Sequence, residues 1–179
     1  MGADKEEWQD LEQFDYVDTE YLERVRARYC PLIGSFLIDF SLLEHTLDLA
    51  IAEFIFNDSD ELGFVITERL SVGNKIELFY KMYARMASFV DTRHQIALKG
   101  IKERLVSLNE FRNSVVHACW GSLSKYGLVR TRTVVDSQDG HVKFKRVRIS
   151  PKTIRSKDAE AERLVEELEA WCEQIGEAT

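Results

Sequence analysis

The sequence predicts a mainly α-helical protein, an antiparallel helical bundle with a β-hairpin inserted before the last helix. Only 2 of its 179 residues are proline and 9 are glycine, too few for the many turns of an all-β protein. Apolar residues recur every three or four positions along most of the chain, which is the period of an amphipathic helix. One late stretch changes to the two-residue period of a strand. The length fits a single domain, 1–179.

The first predicted helix extends from Tyr21 to about Phe56, either as one helix or as two joined near Pro31. A polar stretch, Asn57 to Asp60, is expected to end it. The apolar stripe of this helix consists of Ile33, Phe36, Leu37, Phe40, Leu43, Leu47, Ala50, Ile51, Phe54 and Ile55. We expect this stripe to face the core.

Two more helices are predicted before the strands. A connecting segment through residues 72–74 leads to the second helix, whose stripe is Ile76, Phe79, Tyr80, Tyr83 and Met86. Asp91 and Thr92 resemble the cap of a third helix over 93–119. Its stripe is Leu98, Ile101, Leu105, Leu108, Val115 and Cys119.

The two-residue period defines the predicted hairpin. Two runs rich in Val, Thr and Arg, 128–135 and 141–149, flank a polar turn, which predicts a β-hairpin at about 126–149. Ser150 and Pro151 then begin the last helix, because proline is favoured at the first helical position. The stripe of that helix is Ala161, Leu164, Val165, Leu168, Trp171, Cys172 and Ile175.

Charge is segregated along the chain, although the net charge is −7. Residues 1–119 carry 13 basic and 21 acidic side chains, 120–157 carry 10 and 2, and 158–179 carry 1 and 8. The hairpin holds most of the positive block: Arg130, Arg132, Lys143, Lys145, Arg146 and Arg148. Such a block can attract a polyanion such as RNA, or it can pack against its own acidic neighbours.

The sequence favours a reducing, aqueous compartment. Three cysteines are too few for a disulfide scaffold and have no C-x-x-C spacing, and no metal or cofactor site is expected. The polar start, Met1 to Glu7, does not resemble a secretory signal. The longest uncharged apolar stretch, Tyr29 to Ile38, is about half a membrane span. We therefore expect a cytoplasmic protein without a membrane segment.

Two charged residues occupy apolar positions of the predicted helices. Arg112 falls within the stripe of the third helix, and Glu44 lies between Phe40 and Leu47 in the first. An unpaired buried charge costs several kcal/mol, so two inward charges are expected to meet or to line a cleft. We predict that Glu44 and Arg112 are close in space. The alternative to a functional role is an ion pair that fixes how the two helices dock.

The segment Arg112-Asn113-Ser114-Val115-Val116-His117 resembles the Arg-x(4–6)-His motif of the HEPN superfamily (higher eukaryotes and prokaryotes nucleotide-binding). Many members have a polar residue, often Asn, directly after the arginine. The inward Glu44, and the position of the motif near the end of a later helix, also resemble the family. The run from Leu108 to Ala118 is typical of its small bacterial members, and the likeness covers roughly 21–120 and the last helix.

The resemblance implies a HEPN-like helical bundle and a metal-independent endoribonuclease. Such an enzyme cuts RNA by attack of the 2′-hydroxyl on the neighbouring phosphate, leaving a 2′,3′-cyclic phosphate and a 5′-hydroxyl. It also implies a homodimer in which two motifs form one composite active site. Many members are toxins or phage-defence effectors, with an antitoxin or a defence-complex partner. Others have lost catalysis and only bind a protein partner or a nucleotide, which is the alternative function here.

The residue types suit this chemistry. Histidine supplies a base near neutral pH, which is what His117 would do for the 2′-hydroxyl. Arg112 offers a planar fork of donors that matches a phosphoryl group, and Asn113 could orient the imidazole or donate to a phosphate oxygen. Glu44 would hold Arg112 in position. On an ideal helix Arg112 and His117 are about 140° apart, and both can still border one cleft if the dimer closes over them.

The remaining candidates have ordinary interpretations. His45, His94 and His141 have no partner at ligand spacing and are expected to be surface histidines. Cys119 is expected to be a small buried hydrophobic residue.

Overall fold

The computed structural model describes residues 19–55, 60–123, 127–135, 140 and 142–178. The predicted turn at 136–139, His141, the end of the first helix at 56–59 and the polar N-terminal segment lie outside these residues. The elements follow one another as α1 (Thr19–Ile55), α2 (Asp60–Thr67), α3 (Val72–Val90), α4 (Thr92–Val116), β1 (Cys119–Leu123), β2 (Gly127–Val135), β3 (Val142–Arg148) and α5 (Pro151–Glu177). The predicted class is confirmed, since the described chain is mainly helical with a small antiparallel sheet before the last helix.

The chain, predicted from its length to form one domain, divides into two compact units. The helical unit comprises 36–112 and the stretch from Lys157 onward, and the sheet unit comprises the chain up to Ser35 together with 113–156. Helices α1, α4 and α5 each contribute residues to both units.

The helical unit has a core of aromatic and branched side chains from α1, α3, α4 and α5. Its fully buried members, each less than 2% exposed, are Phe36, Phe79, Leu43, Leu47, Ile51, Ile76, Leu98, Ile101, Leu108, Leu164, Leu168 and Ile175. Tyr83 packs edge-on against Trp171 with ring centroids 5.5 Å apart, and its hydroxyl donates to the Ala50 carbonyl over 2.9 Å. Each such side chain contributes about 1.5–3 kcal/mol by leaving water, so the predicted stripes hold this unit together.

Helices α4 and α5 begin at the predicted capping residues. The Asp91 carboxylate accepts from the backbone N–H groups of Arg93 and His94, at 2.7 and 3.1 Å, and so caps α4. Ser150 accepts from the Thr153 N–H at 3.0 Å, and Pro151 is the first residue of α5. These local signals were readable because a cap and its target are only two or three residues apart.

The sheet has three strands, whereas the sequence predicted two. β1 pairs with β2 from Cys119 opposite Thr131 to Leu123 opposite Gly127, and β2 pairs with β3 from Val129 opposite Arg148 to Val135 opposite Val142. The expected helix over 93–119 ends three residues early, so Cys119 is an exposed strand residue and the prediction that it is buried was wrong.

Helix α2 was also missed, because eight residues are too short to show a clear helical period. Gly63 fixes its position. A methyl group added at Gly63 would meet the Ala52 side chain at 2.1 Å, so α2 approaches α1 as closely as a glycine allows.

Among the described helices, α1 is long and apolar enough to cross a membrane when judged by length and composition alone. Seven of its apolar residues are buried in the helical unit: Phe36, Phe40, Leu43, Leu47, Ala50, Ile51 and Ala52.

The close approach at Gly63 predicts opposite effects for two glycine substitutions. Gly63→Ala should lower the free energy of unfolding by about 1–3 kcal/mol, because the added methyl group overlaps Ala52. Gly100→Ala, where nothing lies within 4 Å of the new methyl group, should raise it by up to about 1 kcal/mol through helix propensity. Urea denaturation of both variants is the measurement. Equal effects at the two positions would contradict the packing described for α2.

Candidate active site

The position of Arg112 follows from an aromatic contact between α1 and α4. Phe36 and Phe111 pack edge to face, with ring centroids 4.9 Å apart and an interplanar angle of 77°. The next residue of α4, Arg112, places its guanidinium carbon 6.0 Å from the centroid of the Phe40 ring, one turn further along α1. This is the outer limit of a cation–π contact. The Arg112 side chain is thus half-buried against α1, as its position in the apolar stripe predicts.

Asn113 and His117 end the same helix. The backbone N–H of His117 donates to the Asn113 carbonyl over 3.0 Å, so the helical hydrogen-bond pattern continues one residue past Val116. Residues four apart in a helix lie on one face, and both of these residues are exposed. An imidazole that exchanges protons with a substrate must be reachable from solvent, and His117 is.

Glu44 pairs with a lysine that the sequence did not suggest, and the predicted proximity of Glu44 and Arg112 stays a prediction. Lys75, at the start of α3, lies 2.8 Å from Glu44 and 2.8 Å from Asp48, with its side chain only 6% exposed. The two carboxylates are one helical turn apart on α1, so one ammonium group reaches both. Sequence reasoning missed Lys75 because its partners lie 31 and 27 residues away.

The two carboxylates dominate the electrostatics of Lys75. Burial alone would lower the pKa of the ammonium group, but hydrogen bonds and charge attraction from Asp48 and Glu44 hold it above its ordinary value of 10.5. Lys75 therefore stays charged over the physiological range. Its ion pairs tie α3 to the part of α1 that follows Phe40.

A second carboxylate contact joins α1 to α5. Burial, a hydrogen bond with Asp158 and the charges of Asp158 and Glu162 together raise the pKa of Asp39 to about 6 from its ordinary value of 3.8. The sequence does not predict this contact, because Asp39 and Asp158 are distant in the chain. Because of this raised pKa, the Asp39 carboxylate takes up a proton on mild acidification.

The strand register divides the six basic residues of the predicted hairpin between two faces. Residues opposite each other in an antiparallel pair share a face, so Arg132 belongs with Lys145 and, two pairs further, with Lys143. Arg146 and Arg148 occupy the other face. The basic block is therefore not one continuous patch. The side chains of Arg132, Lys143 and Lys145 lie outside the described residues.

Arg130 has to be removed from the predicted set of RNA-binding residues. It lies in the central strand opposite Trp120 on one side and Val147 on the other, and it is only 6% exposed. Desolvation lowers the pKa of its guanidinium. A side chain so deeply enclosed cannot lie along an RNA backbone. Arg148 is exposed and Arg146 is half-buried.

The other histidines occupy ordinary positions. His45 is exposed and stacks on Phe64 with ring centroids 5.7 Å apart, and His94 is half-buried at the start of α4. Within the described part of the chain, no group of three His, Cys, Asp or Glu side chains is arranged to hold a metal ion.

Comparisons with protein-family models, with curated proteins and with solved structures give no match to this chain.

The enclosed Lys75 predicts a large cost for its removal. Lys75→Met keeps the apolar stem but leaves Glu44 and Asp48 without their cation, and it should lower the free energy of unfolding by about 3–5 kcal/mol at pH 7.

The matched control is Lys102→Met. Lys102 pairs with Glu77 over the same 2.8 Å, but the two side chains are 24% and 50% exposed, and the cost should stay below about 1 kcal/mol. Chemical denaturation at pH 7 measures both variants. Similar costs for the two would show that Lys75 is an ordinary surface lysine.

Proposed function

We propose that this chain is a HEPN-type, metal-independent endoribonuclease whose catalytic residues are Arg112, Asn113 and His117. The observation that carries the proposal is the arrangement of this motif at the end of α4. Asn113 and His117 are exposed one helical turn apart, and the guanidinium just before them is half-buried against Phe40. Phosphodiester chemistry on RNA requires a cation for the phosphate and an accessible imidazole, and the motif contains both residue types.

The proposed reaction is an internal transesterification. The ribose 2′-oxygen forms a bond to phosphorus as its proton passes to the imidazole of His117. The bond between phosphorus and the 5′-oxygen breaks, and an acid protonates that leaving oxygen. Arg112 donates to the non-bridging oxygens as negative charge builds on them, and Asn113 orients the imidazole or donates beside it. No water is consumed, so the products are a 2′,3′-cyclic phosphate and a 5′-hydroxyl.

A second copy of the chain supplies the missing proton donor. One motif contains one histidine, whereas the reaction needs a base and an acid at the same time. Two motifs related by a two-fold axis would provide both groups, and each copy would contribute the same patch. The active form is therefore a homodimer with a composite site.

The sheet would hold the RNA backbone. Arg132, Lys143 and Lys145 share one face of β2 and β3, and the exposed Arg148 with Arg146 provides cations on the other face. Lysine and arginine neutralise phosphates without reading sequence. The proposal includes a cytoplasmic role as a toxin or phage-defence effector, restrained by an antitoxin or a defence-complex partner.

A second candidate function is a catalytically inactive HEPN-like module that binds a protein partner or a nucleotide. The exposed apolar side chains of α1 and α2 favour a protein partner. Ile38 and Leu42 are 70% and 52% exposed one turn apart on α1, and Val65 on α2 is 68% exposed. Exposed apolar patches of this kind mark interaction surfaces. In an inactive module, the contact between Arg112 and Phe40 serves only to hold α4 against α1.

The nuclease proposal predicts the behaviour of a histidine variant. Purified protein should cleave single-stranded RNA in excess EDTA, and His117→Ala should reduce the rate by about 10²–10⁴-fold, as expected for loss of a general base. His94→Ala, on the same helix, is the matched control and should retain wild-type activity. Gel analysis of labelled RNA measures both variants. Cleavage that needs added metal, or that survives His117→Ala, would contradict the mechanism.

The divided basic block predicts unequal effects of charge reversal. In an inactive His117→Ala background, reversing Lys143 and Lys145 should weaken RNA binding and flatten its salt dependence by about 0.7 in logarithmic slope per lost phosphate contact. Reversing Arg146 and Arg148 should have a smaller effect, because Arg146 is half-buried.

Reversal of Lys152 and Arg155, two exposed cations of α5, controls for net charge in the same titrations. An unchanged slope in every variant would mean that the hairpin cations pair only with acidic residues of their own chain.

A further inference from the structure

Two adjoining cavities open between α1, α3 and α5 in the helical unit. The larger, of about 280 Å³, is walled by Phe54, Tyr83, Met86 and Ile175. The smaller, of about 130 Å³, is lined by residues of α1 and α5, both apolar (Leu49, Ala50, Leu168) and polar (Thr46 and three glutamates). Glu53 and Cys172 line both, so the cavities form one continuous groove, which we call the α1–α3–α5 groove. Neither the hairpin nor the motif at the end of α4 contributes to it.

The groove combines an apolar interior with a negative rim. Among the residues that the structure describes, its charged lining consists of the exposed Glu53, Glu169 and Glu173, without a lysine or arginine. No ion pair within the described residues engages these carboxylates. Burial and the negative charges of Glu53 and Glu169 raise the pKa of the Cys172 thiol to about 12. The electrostatic field of these carboxylates therefore reaches the interior of the groove. That thiol therefore stays protonated and acts as part of the apolar wall.

This combination selects one chemical class of ligand. Phenyl or branched-alkyl carbon can be buried among Phe54, Tyr83 and Met86, which favours binding by removing apolar surface from water. The carboxylates at the rim attract a positive group and repel an anion. The larger cavity lies just below the usual size range of ligand pockets, about 300–1,000 Å³, so it suits a compact molecule rather than a folded partner.

We propose that the α1–α3–α5 groove binds a small organic cation, a primary amine carried on a compact apolar body. The apolar body occupies the larger cavity beside Tyr83, and the ammonium group lies at the rim among Glu53, Glu169 and Glu173. This site is independent of the proposed ribonuclease. Substitution of His117 should leave it unchanged, so either proposal can fail without the other.

The test uses 2-phenylethylammonium as the probe and its neutral isostere 2-phenylethanol as the comparison. Binding is followed by ¹H–¹⁵N NMR, which locates the site, and by tryptophan fluorescence. Trp171 reports on the groove because its ring packs 5.5 Å from that of Tyr83. The amine should saturate the protein at submillimolar to millimolar concentration, shift amide signals of the lining segments of α1, α3 and α5, and bind at least about fivefold more tightly than the alcohol.

Glutamate-to-glutamine substitutions at exposed positions remove one charge and keep the fold intact, so they complete the experiment. Glu169→Gln should weaken amine binding by about threefold without changing alcohol binding, because only the ammonium group senses the lost carboxylate. Glu166→Gln, an equal charge change at an exposed position of the same helix that does not line the groove, should leave both affinities unchanged.

Three results would overturn the proposal. The first is equal affinity for the amine and the alcohol. The second is NMR shifts confined to residues outside the groove, or no saturation in the millimolar range. The third is equal weakening by Glu169→Gln and Glu166→Gln, which would show attraction to the net charge of the protein rather than to this site.

Discussion

The edge-to-face contact between Phe36 and Phe111 is the interaction on which the account of the site depends. It fixes the register of α4 against α1 at the point where the apolar stripe of α4 gives way to Arg112. A guanidinium in a stripe position would otherwise have to reach water or find a carboxylate. Here the ring of Phe40 provides a surface on which the side chain rests, and its charge stays near the end of the helix. Packing of uncharged aromatic residues thus sets the position of the charged residue that the chemistry needs.

The buried cation of the helical unit has a structural role and is distinct from the cation of the motif. Lys75 offsets two carboxylates of α1, and without it those charges would oppose the docking of α3. Along α1 the aromatic residues Phe36 and Phe40 therefore contact α4, and the next two turns, with Glu44 and Asp48, engage α3. Helix α1 thus packs against α4 through aromatic rings and against α3 through ion pairs.

Features encoded by neighbouring residues could be predicted from the sequence, and features encoded by distant ones could not. The stripes of α1, α3, α4 and α5 and the caps at Asp91 and Ser150 depend on residues within a turn or two of each other. The structure confirms the caps and most of the stripes, but Phe54, Ile55 and Cys119 are exposed. The Lys75 partners, the contact of Asp39 with Asp158 and the burial of Arg130 depend on residues far apart in the chain. The short β1 and α2 have too few residues to show a period. The motif itself was readable, but no local pattern reveals how a second copy would close over it.

The most direct test of the central claim is the fate of a single ribose. A DNA oligonucleotide with one ribonucleotide offers one 2′-hydroxyl, and mass spectrometry of the products in EDTA reads the chemistry at that residue. The account predicts cleavage only on the 3′ side of the ribonucleotide, with a product that has gained no water and ends in a cyclic phosphate. Cleavage at deoxyribonucleotides, or a product that carries one added water from the outset, would mean that the nucleophile is water and that the assignment of Arg112 and His117 is wrong.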